Sequence, residues 1–381
     1  MTRRLPSPTV IRALACAVAA LCLSGVAQGA APSVQARAYV VQSSVDGHTL
    51  AARGAEEPRP MASITKLMTA LVAVERLELD AVVTVAPQAA RIGESSLSLR
   101  TGQRLPVRDL VIGTLVPSAN DAATALAIAA AGTMPRFVAL MNRKAGELGL
   151  RRTTYRNPHG LDEAGHASTA RDSAVLLRAA LREPVIRRYA GVASARLSDG
   201  RRVDSTDNLV GTFRGFVGGK TGHTSLAGWS QVGFAKVGGV GVTVAVLGSP
   251  TEAQRDLDLS ALLRFGLTSY RASRVVDPSR TYASVEVGWG TPSLRLVAPR
   301  AVVRPAHVGR PLVERVVAPS VVRLPVRAGQ ELGTLVVRDG SRVVARSVLV
   351  AAEARKEPSR LDKATWLARR TGDHLVGLVT P

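Results

Sequence analysis

Residues 63–79 carry a helical period with no polar face. Leu67, Ala70, Leu71 and Val74 fill the i, i+3, i+4 and i+7 positions, and Ile64, Met68 and Val72 make the other faces apolar too. A helix that is apolar all round must be covered on every side. This segment therefore predicts a layered domain with the helix in its middle, and Pro58 and Pro60 break the chain just ahead of it. A serine and a lysine nevertheless stand three apart at its start, Ser63 and Lys66 in "MASITKLMTA".

The flanking segments supply the layers. Residues 34–49 read as a strand running into an Asp46-Gly47 turn. "RDLVIGTLV" (108–116) and "DAATALAIAAAG" (121–132) read as helices on either side of Pro117-Ser118-Ala119-Asn120, and "RFVALMNRKAGELG" (136–149) as an amphipathic helix. A polar loop over 157–172 leads into a further helix to about residue 181. After Ser205 the runs "FVGGKTGHT", "GWSQVGFAKVG" and "GVTVAVLGS" are β-branched and punctuated by Gly, as antiparallel strands are, and a helix over 255–270 closes the region. This order predicts an α+β layer domain over residues 34–275. From 278 to 352 the pattern is short strands alone ("YASVEVGW", "SLRLVAP", "VERVVAP", "LPVRAG", "GTLVVRDG", "RVVARSVLVA"), which predicts a small all-β sandwich. The tail, 353–381, reads as an amphipathic helix that either docks on the sandwich or, with Trp366, Arg369 and Arg370, lies on a membrane surface.

The first thirty residues are of another kind. Arg3, Arg4 and Arg12 precede an apolar run over 13–27 and an Ala27-Gln28-Gly29 cleavage-like site, so residues 1–30 read as a secretory signal peptide, with an uncleaved anchor as the alternative. Both cysteines, Cys16 and Cys22, fall inside it. The remaining chain thus has no disulfide, thiol nucleophile or cysteine-ligated metal, and export to a bacterial periplasm or outer envelope is the expected destination.

The formal charge is +21, yet the arginines are dispersed, aromatics make up only 3%, and no nucleic-acid-binding motif is present. Nucleic acid is not the expected partner; anionic lipid headgroups or cell-wall polymers are the fitting counterions, with a solvated basic surface that has no specific partner as the alternative. Only six of the fifty basic residues are Lys (66, 144, 220, 236, 356 and 363). Arg cannot give up its proton, whereas a buried Lys can act as a base.

Ser63 and Lys66 lie three apart on one helix face, within reach of a hydrogen bond. Serine needs a neighbouring base to become a nucleophile. Lysine serves as that base when burial or another cation lowers its pKa. The alternative is an N-cap serine beside a snorkelling lysine. Two further singular motifs follow: Ser118-Ala119-Asn120 in a break between helices, and Lys220-Thr221-Gly222 on an expected strand, where glycine lets a substrate backbone approach. Taken alone they read as an N-cap and a strand end. Together, and in this order, they form the arrangement of penicillin-recognising serine acyltransferases.

On these motifs, and on "GESSLSLRTGQRLPVRDLVIGTLVPSANDAATALA", "NPHGLDEAGHASTARD" and "GGKTGHTSLAG", residues 37–270 resemble the D-alanyl-D-alanine carboxypeptidases, the low-molecular-mass penicillin-binding proteins. The 278–352 strands resemble the β-rich domain that many members carry. The resemblance implies a β-lactamase/transpeptidase fold, with an antiparallel sheet between helical layers. Ser63 would attack the D-Ala-D-Ala bond of a peptidoglycan stem peptide, with Lys66 taking its proton, and β-lactams would be covalent inhibitors. Ser118 would relay a proton to the leaving D-alanine, and Asn120 would orient the acyl amide. Lys220 and Thr221 would hold the terminal carboxylate beside Gly222. The backbone N–H groups of Ser63 and His223 would form the oxyanion hole. No cofactor or metal is implied. The chain departs from the family pattern at Ala119, at Trp229-Ser230 after the Ala-Gly, and in a tail without a strongly apolar span.

Four other readings compete. A D,D-endopeptidase would use the same catalytic residues. A class A β-lactamase needs a Glu-x-x-Leu-Asn segment that is missing here, its nearest acid being Glu163. His159, Asp162, Glu163, His166 and Asp172 are clustered enough to raise a zinc peptidase, but no His-Glu-x-x-His occurs. A non-catalytic wall-binding protein would not need the nucleophile.

Overall fold

In the computed structural model residues 31–376 are described, and the signal-peptide expectation over 1–30 lies outside them. Strands β1 (Ala38–Ser43) and β2 (Thr49–Arg53) form the expected hairpin, and a single 3-10 turn (Ala62–Ile64) then leads into helix α1 (Thr65–Val74). A small hairpin of β3 (Val82–Thr84) and β4 (Arg104–Pro106) encloses the short α2 (Pro87–Ala90). Helices α3 (Val107–Leu115), α4 (Asn120–Ala131), α5 (Met134–Glu147), α6 (Ala170–Ala180) and α7 (Pro184–Tyr189) follow, then the hairpin of β5 (Ser194–Arg196) and β6 (Arg202–Asp204). The long strands β7 (Phe216–Thr224), β8 (Gly228–Val237) and β9 (Val240–Ser249) lie where the Gly-punctuated runs place them, and α8 (Glu252–Thr268) follows.

The main sheet runs β2-β1-β9-β8-β7, antiparallel throughout, so β7 is an edge strand. Alternation of period two divides its faces. Val40, Ala245 and Leu247 enter one core with α1, α3, α4 and α6, while Tyr39, Val41, Val244 and Val246 enter a second core under α8. This is the expected α+β arrangement of an antiparallel sheet between helical layers. Helix α1 is buried over Thr65–Ala73, Lys66 included. It stops at Val74, earlier than residue 79, because Glu75, Arg76 and Glu78 follow and require water.

Among the described residues, the first compact unit runs to Ser273 and includes Val303–Val308, and the second comprises Arg274–Val302 with the residues from Gly309 on. Strand β10 (Tyr270–Val276) pairs with β13 (Val302–His307). In the second unit β11 (Thr281–Val285), β12 (Leu294–Val297), β14 (Leu312–Val317), β15 (Glu331–Asp339) and β16 (Arg342–Ala351) make a sheet ordered β11-β12-β16-β15-β14. "LPVRAG" was expected as a strand, but only the isolated bridge Val326–Arg355 forms there. Pro325 supplies no N–H for a longer ladder. The tail forms α9 (Arg360–Val376), with Trp366 edge-on to Trp289 at 5.5 Å while Leu361 and Leu367 stay exposed. No single described helix is long and apolar enough to cross a membrane.

Candidate active site

Ser63 sits in the middle of the 3-10 turn, where Ala62 is held at φ 49°. A non-glycine residue in the left-handed region is held there by its surroundings, and here two glycines press on the turn. A Cβ on Gly222 of β7 would stand 2.8 Å from the Ser63 backbone nitrogen, and one on Gly160 would stand 2.1 Å from the Ala62 carbonyl oxygen. Gly160 also has φ +93°, a conformation that L side chains rarely adopt. The capping reading of Ser63 gives way: no side chain caps this turn or α1, and the Ser63 hydroxyl faces Lys66.

Lys66 is completely buried, and its Nζ has three neighbours: Ser63 Oγ at 2.7 Å, Asn120 Oδ1 at 2.6 Å and the His159 carbonyl oxygen at 2.7 Å. Burial pushes the amine well below its usual range, and repulsion from Lys220 pushes it further, against the pull of Glu94 and Asp121. A neutral amine has two N–H donors and one lone pair. With the two carbonyl-type oxygens accepting those donors, a neutral Lys66 would turn its lone pair towards the Ser63 hydroxyl.

Ser118 lies in the bend between α3 and α4 at φ 64°, a second strained position beside the same cleft. The helix after it starts at Asn120 with Ala119 as N-cap and no side-chain cap, so Ser118 does not serve as one. Instead Lys220 Nζ donates to Ser118 Oγ at 2.8 Å and to the Thr221 carbonyl at 3.0 Å. Lys220 is buried and pushed down to about 7, chiefly by desolvation, with Asp207 opposing the shift and Arg255 adding to it. Asn120 donates through Nδ2 to the Gly93 carbonyl at 3.0 Å, which fixes the direction of its amide. Thr221 Oγ1 is 2.7 Å from Thr206 Oγ1. The exposed His223 stacks its ring on Trp229 at 4.1 Å, and the Arg255 guanidinium lies 5.6 Å from the same Trp229 indole.

The structure thus brings Ser63, Lys66 and Asn120 into one hydrogen-bonded group, and Ser118 with Lys220 into another. Gly222 lies against the first group, and Thr221 and His223 flank it along β7. The loop acids and histidines are tied up otherwise. His166 bridges Thr65 Oγ1 and the Arg156 N–H, Asp162 accepts from Thr224, and Glu163 accepts from Asn157. Among the described residues no group of His, Cys, Asp and Glu is placed to hold a metal ion. Burial lowers His159 to about 3 and His166 to about 4. Sequence reasoning missed the His159 carbonyl, Thr206 and Asp207. A backbone acceptor has no residue signature, and the loop at Thr206 and Asp207 carries no motif.

A half-buried serine beside a buried lysine at the start of a central helix, opened by an edge strand, places the chain in the class of active-site serine hydrolases with the β-lactamase/transpeptidase fold. Comparison with known proteins narrows this. The profile of the D-alanyl-D-alanine carboxypeptidase family, peptidase family S11, matches residues 26–251. The D-alanyl-D-alanine carboxypeptidase DacC of Escherichia coli is 34% identical over 276 residues, covering 69% of each chain. DacF of Bacillus subtilis, of the same description, is 29% identical over 352 residues, covering 89% of this chain and 90% of its own. Penicillin-binding protein 5 of Haemophilus influenzae superposes with a TM-score of 0.63 at 26% identity, covering 86% of this chain and 99% of its own. The chain belongs to the D-alanyl-D-alanine carboxypeptidase family of serine peptidases.

Proposed function

We propose that this enzyme removes the terminal D-alanine from peptidoglycan stem pentapeptides through an acyl-enzyme on Ser63. The Ser63 hydroxyl attacks the carbonyl carbon of the D-Ala-D-Ala bond while its proton passes to the Lys66 amine. Ser118 delivers a proton to the departing amine of D-alanine, and water then hydrolyses the ester on Ser63. Asn120 orients the acyl amide, and Lys220 with Thr221 holds the terminal carboxylate. The N–H groups of Ser63 and His223 receive the oxyanion, with Gly222 keeping β7 close enough for both. β-Lactams, which present a similar carboxylate and a strained amide, would acylate the same serine.

The observation that carries this reading is the set of Lys66 contacts: a fully buried amine 2.7 Å from the Ser63 hydroxyl, with its other two partners both acceptors. The leader-like residues 1–30 support action in the periplasm or elsewhere in the cell envelope. The +21 charge and the exposed Leu361 and Leu367 on α9 support peripheral contact with an anionic membrane or wall polymer. Incubation with a stem pentapeptide, followed by mass spectrometry, tests the reaction. Loss of one alanine from the pentapeptide is expected, and cleavage confined to cross-linked dimers would make the enzyme a D,D-endopeptidase instead.

A further inference from the structure

Lys220 is a buried amine with no ion-pair partner among the described residues. Its hydrogen bonds go to Ser118 Oγ and the Thr221 carbonyl, and no described carboxylate comes within ion-pair distance of it. A buried ammonium without a counter-charge tends to lose its proton. A Lys220 that is to hold a carboxylate must keep it.

One buried acid lies behind it. Asp207 Oδ1 accepts from Gln231 Nε2 at 2.7 Å and from the Leu209 N–H at 3.0 Å, while Oδ2 is buried and has no hydrogen-bond partner. Oδ2 stands 3.1 Å from where a Cβ on Gly219 would be, so the carboxylate packs against the residue preceding Lys220. Side chains alternate along a strand. Asp207 therefore sits on the face of β7 shared by Gly219 and Thr221, whose cross-strand partner is Gln231. Lys220 leaves the opposite face towards Ser118.

We propose that Asp207 is a positioning residue of this site, a counter-charge on the far face of β7 that keeps Lys220 cationic for binding a substrate's terminal carboxylate. The inference rests on the carboxypeptidase reading above. The charged groups around the pair agree with it. Asp207 is the carboxylate that raises Lys220, while Arg255, pinned by Asp256 and Glu252, pushes Lys220 down. Asp207 is itself raised to about 6 by burial, against the Leu209 N–H, Arg255 and Lys220 and with Asp256, so it is ionised at neutral pH. The Lys220 charge in turn depresses Lys66. One carboxylate thus supports both the binding cation and, through it, the neutral base.

Asp207→Asn tests this, because the amide oxygen can keep both Oδ1 bonds while the charge is lost. The full chain is assayed with a stem pentapeptide across pH, alongside labelling by fluorescent penicillin. The variant is expected to fold and to have a KM about fivefold higher at pH 7, the alkaline limb of kcat/KM moving down by about one pH unit. Asp207→Ser, which removes the charge in a smaller volume, is expected to behave alike should the first variant fold poorly. In a Lys220→Arg background, where the charge is fixed, Asp207→Asn should leave KM and the limb in place. Unchanged KM and pH profile in an otherwise wild-type chain, or an equal effect in the Arg background, would overturn the inference. Failure of the wild type to take penicillin or release D-alanine would instead overturn the carboxypeptidase reading.

Discussion

Gly222→Ala isolates the contact between the edge strand and the turn that carries Ser63. The added methyl would stand 2.8 Å from the Ser63 nitrogen, 3.0 Å from Ala62 Cβ and 3.1 Å from the Met61 carbonyl oxygen. Two of these atoms are backbone and the third is fixed to it, so none can swing aside. Ordinary contact begins near 3.4 Å, so β7 and the 3-10 turn must part by about 0.6 Å to relieve the Ser63 nitrogen. A misplacement of about 1 Å at a reacting centre can cost on the order of 100-fold, and loss of one oxyanion donor costs roughly 100- to 1,000-fold. Acylation by a fluorescent penicillin, followed by timed quenching and gel fluorescence, should therefore slow by about 10- to 100-fold, with about 1–3 kcal/mol of overpacking in thermal denaturation. A variant acylating within about twofold of wild type would refute the role given to the Ser63 N–H and to this glycine.

Other perturbations reach the same turn and Lys66. Asn120→Asp would place a carboxylate 2.6 Å from Lys66 Nζ; an opposite charge raises the lysine's pKa by about 1–3 units, so the pH dependence of acylation should shift upward, and an unshifted profile would contradict the assignment of Lys66 as base. Gly160→Ala meets both φ +93° and the Ala62 carbonyl at 2.1 Å; a loss of about 2 kcal/mol or more in urea unfolding is expected, and a neutral result would mean that the loop does not hold the Ser63 turn. His159 and His166 are pushed down to about 3 and about 4 from 6.5. Between those values and 6.5 the unfolded chain binds more protons, so their contribution is complete above pH 6.5 and is lost as pH falls through the window. Asp207, raised to about 6, opposes this with the reverse sign below that pH. The urea midpoint should fall from about pH 7 to about pH 4.5, less steeply in His166→Gln, and equal slopes would remove His166 from the account.

Periodicity and burial made much of this legible. An apolar sequence on every face of 63–74 required a central helix, and Gly-punctuated β-branched runs located β7, β8 and β9 within a residue or two. Lys66 drew notice as a lysine in a chain that otherwise writes Arg. What stayed hidden depends on tertiary contact. The left-handed conformations of Ala62 and Ser118 arise from packing, not from local propensity, and the 3-10 turn is shaped by Gly160 and Gly222, distant in sequence. Lys66's third partner is a backbone carbonyl, which any residue could offer. Asp207 reads as an ordinary loop acid until folding places it beneath Gly219. "AVVRPAH" is absent from the expected strands, yet β13 forms there around Pro305 and pairs with β10.

The most direct test of the central claim is covalent labelling by a fluorescent penicillin of the wild type and of Ser63→Ala, with peptide mapping of the adduct. The account predicts one adduct per chain on the peptide containing Ser63, and none in the variant. An unlabelled wild type, or equal labelling of the variant, would contradict it.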